Sequence, residues 1–197
     1  MLPAYAALIG TAISFCSGLY YSYLTSQGAT KPNRVTYTLW ALFPTIIFTA
    51  QLVEGVGLVA LATLVAGVPS LLTLLASYHN PSAYWRIRPR SYVFGVLAVL
   101  SIVLWLLADD PNVAIGLALL ANAMAGIPTA IKAFYAPRSE QWRPYAISAV
   151  GFMIVFLSIT EHTFANTAFV AYLMAANLII AVLAFRQPPL YRTANTR

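Results

Sequence analysis

Charged side chains are scarce in this chain of 197 residues, where Asp, Glu, Lys and Arg together make up 8% of the total. Soluble globular domains carry about 25% charged residues. Apolar residues supply 60% of the chain, and the mean hydropathy is +0.77. A chain with so few charges cannot cover itself with a surface that suits water, so we expect lipid to be its main solvent. This shortage excludes a soluble enzyme, a nucleic-acid-binding domain and a disordered tail.

Cysteine and histidine are almost missing as well. The one cysteine, Cys16, can form no disulfide within the chain, and its place in an apolar run predicts a small core residue. His79 and His162 are predicted at opposite faces of the membrane, so they cannot share a metal ion. Since no Ser/His/Asp or Cys/His set can assemble on one face, the sequence predicts neither an enzyme nor a metal or cofactor site.

Long apolar stretches predict an all-α integral membrane fold. A membrane-spanning helix needs about 17–25 mostly apolar residues, and the alternation typical of strands is missing from this chain. On this criterion the chain contains seven predicted transmembrane helices: 3–24, 35–53, 57–78, 91–108, 113–135, 145–160 and 166–185. Residues 188–197 are predicted to form a short polar tail.

The charges predict how these spans are oriented. All 11 basic residues fall on one side of the seven-span arrangement, which also accounts for the net charge of +6. Lys and Arg in short loops stay on the cytoplasmic side, so we expect the N-terminus outside and the C-terminus in the cytoplasm. Lys132, near the inner end of the fifth span, is expected to extend its ammonium to the membrane interface. Glu140 is the one acid on the basic side; the acids on the other side are Glu54, Asp109, Asp110 and Glu161.

Two of the predicted spans carry the same glycine–proline pattern. Residues 66–70 read Ala-Gly-Val-Pro-Ser in the third span, and residues 125–129 read Ala-Gly-Ile-Pro-Thr in the fifth. An interior proline removes a helical hydrogen bond, and such interruptions at matching places in two halves point to the binding site of a transporter. Gly and Pro are also common in membrane helices generally, so ordinary helix packing stays the alternative. The candidate hinge residues are Gly67, Pro69, Gly126 and Pro128.

Polar and aromatic side chains inside the spans supply the candidate solute contacts. Asn122 and Asn177 lie near mid-depth, where an unpaired amide costs several kcal/mol, so each must meet another helix, water or a ligand. Interhelical hydrogen bonding and cavity lining both stay open for them. Trp40, about five residues inside the second span, is the candidate aromatic wall, with plain packing as the alternative. Tyr20 aligns with the kink position in the first span.

The second half of the chain carries an ordered set of motifs. Residues 125–183 contain a Gly-x-Pro-kinked helix, the exit with Lys132, a Pro-Arg-Ser-Glu loop, a helix opening Pro-Tyr-Ala-Ile-Ser and an asparagine-bearing final helix. This order resembles the second three-helix bundle of the PQ-loop superfamily, which includes the SWEET sugar transporters, lysosomal amino-acid exporters and the KDEL receptor. The whole chain is similar to a group of uncharacterised prokaryotic seven-span membrane proteins, through Lys-Pro-Asn-Arg-Val-Thr at 31–36 and Thr-Phe-Ala-Asn at 163–166.

The resemblance implies a 3+1+3, SWEET-like arrangement. The chain would divide into the first three-helix bundle at 1–78, a connector helix with its flanking loops at 79–112, and the second bundle at 113–187. It also implies rocking of the bundles about kink prolines, which Pro128 matches, and a solute held by a final-helix asparagine, for which Asn166 and Asn177 both stay open. The chain departs from the family pattern, since Thr129 follows Pro128 and the third span has no asparagine. The resemblance therefore predicts the fold and not a sugar specificity.

These features predict a membrane transporter for a small neutral or polar solute, sugar-like or amino-acid-like, that works by alternating access. A ligand-binding seven-helix receptor and a membrane-embedded assembly protein without transport are the alternatives. The expected partners are the solute and the lipid bilayer of a prokaryotic inner membrane; a homo-oligomer is left open, and neither nucleic acid nor a cofactor is expected. The candidate solute contacts are Asn177, Asn122, Trp40, Tyr20 and Asn166.

Overall fold

The described part of the chain is helical apart from its turns and loops. The computed structural model describes residues 2–83, 85–86, 89–107 and 110–186. The predicted all-α fold is confirmed for these residues, and the predicted tail at 188–197 lies outside them. The helices are α1 Ala6–Ser26, α2 Arg34–Val53, α3 Val59–His79, α4 Pro89–Leu106, α5 Pro111–Tyr135, α6 Trp142–Leu157 and α7 Phe164–Phe185.

Four of the described helices are long and apolar enough to cross a membrane. They are α2, α3, α5 from Ile115 to Tyr135, and α7. The apolar α6 has only 16 residues, and the 21-residue α1 is rich in serine, threonine and tyrosine. These lengths indicate a helical membrane protein, while the seven-span count and its orientation stay predictions.

The outward faces of the helices are apolar, as contact with lipid requires. Val96 on α4 is 60% exposed and Leu178 on α7 is 54% exposed. Cys16 is exposed on α1 as well. Its prediction as a core residue is wrong, because the buried face of α1 runs instead through hydroxyl-bearing residues such as Ser14 and Ser17.

Polar side chains fix where three of the helices begin. Asn33 before α2 and Asp110 before α5 each accept hydrogen bonds from two backbone N–H groups of the first turn. Thr163 does the same for one N–H group at the start of α7. Such caps satisfy donors that have no partner within the helix, so the sequence marks these starts directly.

The helices pack in a pattern that repeats between the two halves of the chain. Helix α3 packs along both α1 and α2, and α7 packs along both α5 and α6. Between the halves, α1 packs against α6 and α2 packs against α5. If α1, α2 and α3 are exchanged for α5, α6 and α7 in that order, the same pairs of helices remain in contact. Helix α4 lies outside the pattern, mainly against α5.

Glycines allow the closest helix crossings. A Cβ atom built on Gly151 of α6 would lie 2.6 Å from the carbonyl oxygen of Gly10 on α1 and 2.9 Å from the backbone nitrogen of Ser14. A Cβ atom on Gly18 of α1 would lie 2.5 Å from the Cβ of Pro69 on α3. Small residues at interfaces let helix backbones approach closely, which is how helices associate in lipid.

Candidate cavity and buried ion pair

A central cavity lies where the two halves of the molecule meet. Its volume is about 110 Å³, and α1, α2, α3, α5, α6 and α7 all contribute side chains to its wall. Hydroxyl groups, aromatic rings and two asparagines line it, and none of the described lining residues carries a full charge. A cavity of this kind suits a neutral polar molecule rather than an ion, since an ion would leave its charge uncompensated.

Most hydroxyl groups on the buried face of α1 already have partners. The Oγ of Ser17 donates to the carbonyl oxygen of Pro144 at 2.5 Å. The Oγ of Ser22 lies 2.8 Å from the Oγ1 of Thr73. Thr11 differs, because among the described residues its buried Oγ1 has no hydrogen-bond partner although it lines the cavity.

Asn122 presents a second polar group at the cavity that the protein does not use. It lies near the middle of α5, is 2% exposed and contributes to the cavity wall. Within the described residues its side-chain amide makes no hydrogen bond, and only its backbone oxygen is used, accepting from the indole N–H of Trp40 at 3.2 Å. This amide is therefore open to hydrogen bonding with whatever occupies the cavity.

Of the two asparagines in the last helix, only Asn177 reaches the cavity. Its Nδ2 donates to the carbonyl oxygen of Leu173 one turn earlier, at 2.8 Å, and the residue lines the wall. Asn166 lies at the start of α7, where its Nδ2 donates to the carbonyl oxygen of Glu161 at 2.8 Å. This hydrogen bond directs the side chain to the loop before α7, and Asn166 is not part of the cavity wall, so its role as a solute contact stays a prediction.

Of the two aromatic residues predicted to contact the solute, one lines the cavity and the other does not. Trp40 lines the cavity as expected. Tyr20 is 38% exposed and is not part of the cavity wall, so its role as a solute contact stays a prediction that the cavity does not support. The neighbouring Tyr21, 4% exposed, lines the cavity instead. Successive residues of a helix are rotated by about 100°, so a step of one position moves a side chain from the interior to the outer face.

Three of the four predicted hinge residues, Gly67, Pro69 and Gly126, lie at helix contacts. Pro69 interrupts α3 and lines the cavity. Pro128 interrupts α5 but is not part of the cavity wall. A Cβ atom on Gly126 would lie 3.0 Å from Trp40, and one on Gly67 would lie 3.1 Å from the carbonyl oxygen of Ala41. Both glycines therefore have a packing role, while their role as hinges stays a prediction.

A third interior proline, Pro44 of α2, also lines the cavity. Sequence reasoning missed it, although an apolar span interrupted by proline was the available signal. Carbonyl groups beside the other two interruptions accept hydrogen bonds from a neighbouring helix. Ser22 donates to the oxygen of Pro69 at 3.0 Å, and Thr36 donates to the oxygen of Ala125 at 2.7 Å. These bonds join neighbouring helices close to the two interruptions.

A buried ion pair adjoins the cavity and joins α5 to the following loop. The Nζ of Lys132 lies 2.5 Å from the Oε1 of Glu140, and the two residues are 2% and 1% exposed. The same ammonium donates to the backbone oxygen of Lys31 in the α1–α2 loop and lies 5.3 Å from the ring centroid of Trp85. The predicted extension of Lys132 to the membrane interface is wrong, because a carboxylate one loop further on pairs with it inside the protein.

Three tyrosines connect this ion pair to the cavity wall. The hydroxyl groups of Tyr21 and Tyr145 donate to the Oε2 of Glu140 at 2.6 and 3.4 Å. The hydroxyl of Tyr37 lies 3.0 Å from that of Tyr145, and its ring stacks on Tyr21 with 5.5 Å between centroids. All three tyrosines line the cavity. We call these five residues, Lys132, Glu140, Tyr21, Tyr37 and Tyr145, the ion-pair network.

The sequence contained one signal for this network. In the predicted seven-span arrangement, Glu140 is the single acid on the side where every basic residue falls. An acid that departs from such a pattern indicates an ion pair with a basic residue, and in the structure that residue is Lys132. Comparison of the chain with protein-family models, with curated proteins and with solved structures finds no match.

Proposed function

We propose that the protein is a membrane transporter for a small, neutral, polar solute, which binds in the central cavity. One observation carries the proposal: the amide of Asn122 is buried, lines the cavity and has no hydrogen-bond partner among the described residues. An amide that faces a cavity and is not used by the protein is available to bind a ligand or water there.

The repeated packing of the helices supports alternating access. Two units, α1–α3 and α5–α7, meet through α1 with α6 and α2 with α5, and the cavity lies between them. Transporters built from repeats hold the solute at the repeat interface and expose it to either side by rocking one unit against the other. In this proposal α4 is the connector, the chain spans a prokaryotic inner membrane seven times, and the N-terminus is outside.

The chemistry of the wall defines the class of solute. The amide of Asn122 offers a donor and an acceptor, and the ring of Trp40 supplies an apolar wall. A solute that carries both hydroxyl or amide groups and an apolar face matches this combination. A sugar-like solute fits this wall better than an amino-acid-like one. An amino acid carries an ammonium and a carboxylate, and none of the described lining residues supplies a charged partner for either group. The proposal therefore favours an uncharged solute.

A thermal-stability screen with vesicle flux tests the function. Purified protein is melted with about 10 mM of each of several neutral solutes, and a ligand with a Kd of about 1 mM should stabilise it by about 1.4 kcal/mol. We expect the shift to disappear in Asn122→Ala and to persist in Asn166→Ala, the matched asparagine that lies away from the cavity. Flux of the same solute across sealed vesicles then separates a transporter from a receptor.

Two results would contradict the proposal. A cooperative melt that no solute class shifts would favour an assembly protein with a packed centre. A solute that shifts the melt but does not cross vesicles would favour a receptor that uses the same cavity.

A further inference from the structure

The ion-pair network stands at one end of the cavity, where three of its members form part of the wall. Tyr21, Tyr37 and Tyr145 are 4%, 4% and 6% exposed. Behind them Lys132 and Glu140 are buried almost completely. A solute that left the cavity in this direction would have to pass between side chains that hydrogen-bond one another.

The network joins the two units rather than stabilising either one alone. Tyr21 and Tyr37 belong to α1 and α2, whereas Lys132 and Tyr145 belong to α5 and α6. The bonds from Tyr21 to Glu140 and between Tyr37 and Tyr145 therefore cross the boundary between the units.

The loops beside the network are joined in the same way. The backbone N–H of Lys31 donates to the oxygen of Ser139 at 3.1 Å, and the ammonium of Lys132 donates back to the oxygen of Lys31. These bonds connect the α1–α2 loop to the α5–α6 loop. Movement of one unit away from the other at this end must break this whole set together.

The chemistry of the ion pair makes an intermediate state unfavourable. A buried ammonium that loses its carboxylate is left as an uncompensated charge. Once the two units separate far enough to admit water, both charges are hydrated and the penalty disappears. The network is therefore stable in two states. In one, its bonds are intact and water is excluded; in the other, the units are separated and the charges are hydrated. A gate needs two such states.

We propose that the ion-pair network is the gate at this end of the cavity, and that the structure is the state in which this gate is closed. The role of this network as a gate rests on the proposed transport function, but the experiment that tests the gate needs no solute. The basic loops beside it predict that this end faces the cytoplasm.

Cysteine accessibility tests the gate directly. Replacing Cys16 with serine removes the single cysteine, and Ser148→Cys then places a thiol on α6 in the cavity wall. The labelling rate of this thiol by a small membrane-impermeant reagent is measured from each side of sealed vesicles. In the same background Arg138→Cys, in the exposed part of the α5–α6 loop, reports which side this end faces.

Glu140→Gln should open the gate, because it leaves the ammonium of Lys132 without a counter-charge. We expect labelling of Ser148→Cys to become at least about tenfold faster from the Arg138 side, with no increase from the other side. Adding Lys132→Met removes the stranded charge and should bring the rate back to within about threefold of the parent. Glu161→Gln, at an exposed acid outside the network, is the matched control and should leave the rate unchanged.

The results that would overturn the gate differ from those that would contradict the proposed function. An unchanged rate in Glu140→Gln, or an equal rise from both sides, would overturn the gate, since the second result means general loosening. If Glu140→Gln does not fold, Tyr21→Phe removes one cross-unit hydrogen bond and must itself raise the rate by about twofold or more for the gate to stand. A gate that responds as expected in a protein that binds no solute would contradict the proposed function and leave the gate intact.

Discussion

The two ends of the central cavity are bordered by different chemistry. Near the start of α1 the packing is apolar, and we call this group the apolar cluster: Ala7, Ala62, Phe152, Val155 and Val170. At the opposite end lies the ion-pair network, whose bonds connect charges and hydroxyl groups. Both ends include contacts between α1 and α6, so the difference between them is one of chemistry and not of helix pairing.

This difference predicts how each end responds to change. Apolar contacts are lost in proportion to the atoms removed, and a separated apolar surface meets lipid or water without stranding a charge. A buried ion pair cannot lose one partner without leaving the other uncompensated. The network end should therefore be far more sensitive to the removal of a single polar group than the apolar end is to the removal of a methyl group.

Neutralising Glu140 should give the largest loss of stability. Glu140→Gln leaves the buried ammonium of Lys132 unpaired, and we expect the free energy of unfolding in detergent to fall by about 3–5 kcal/mol. The double variant with Lys132→Met should recover most of this loss, because no charge is then stranded. A single variant that unfolds like the parent, or a double variant that is no better than the single one, would contradict the buried-pair interpretation.

Two adjacent tyrosines give the next contrast. Tyr21→Phe removes a hydrogen bond to a carboxylate, and such bonds contribute about 1.5–3 kcal/mol. Tyr20→Phe removes a hydroxyl from a side chain that is 38% exposed, so we expect a change of less than about 0.5 kcal/mol. Unfolding of both variants in detergent measures the difference. Equal effects would mean that the hydroxyl of Tyr21 adds nothing beyond its ring.

At the apolar end the sensitive feature is backbone approach. In Gly151→Ala the new Cβ atom would lie 2.6 Å from the oxygen of Gly10, so α1 and α6 must separate. We expect a loss of about 1–3 kcal/mol. Gly57→Ala is the matched control, because a Cβ atom there meets nothing within 4 Å. If thermal unfolding in detergent does not distinguish the two variants, the α1–α6 crossing is looser than described.

The helices were predictable because each depends on local sequence. Apolar runs set their lengths, and residues such as Asn33 and Asp110 mark their starts with side-chain caps. The predicted span 35–53 and helix Arg34–Val53 differ by one residue. The 3+1+3 arrangement stays a proposal, because it came from a resemblance rather than from the residues alone.

The cavity was predictable in part. Asn122, Asn177, Trp40 and Pro69 follow from their depth in the spans, since polar or interrupted positions at mid-membrane must face protein or a cavity. Tyr21 lines the cavity and Tyr20 does not. The sequence of α1 could not distinguish them, because its aromatic and hydroxyl groups lie on several faces and do not reveal which face is buried.

The ion-pair network needed information that no single span contains. Position near a helix end predicts that Lys132 reaches the membrane interface, and only the tertiary structure brings the carboxylate of the next loop to it. The tyrosines that complete the network come from three different helices. Their convergence depends on how the two units meet, which the sequence of one unit does not specify.

A small stability change is also expected at the cavity itself, in Asn122→Ala. Its amide has no partner among the described residues, so its removal should change the free energy of unfolding by less than about 1 kcal/mol. Gln51→Ala is the comparison, because Gln51 is also buried but donates to the oxygen of Ala165 at 2.9 Å. Its truncation should cost about 1–3 kcal/mol.

Of these two variants, Gln51→Ala should have the larger effect on stability, but Asn122→Ala should have the larger effect on solute affinity. Asn122→Ala is expected to weaken binding by at least about tenfold in the thermal-shift assay, whereas Gln51→Ala, outside the cavity wall, should leave it unchanged in protein that still folds. A polar group that stability does not need but binding does is typical of a functional site. If instead Asn122→Ala unfolded as readily as Gln51→Ala, the amide would be a structural link between helices and the cavity would lose its main candidate ligand contact.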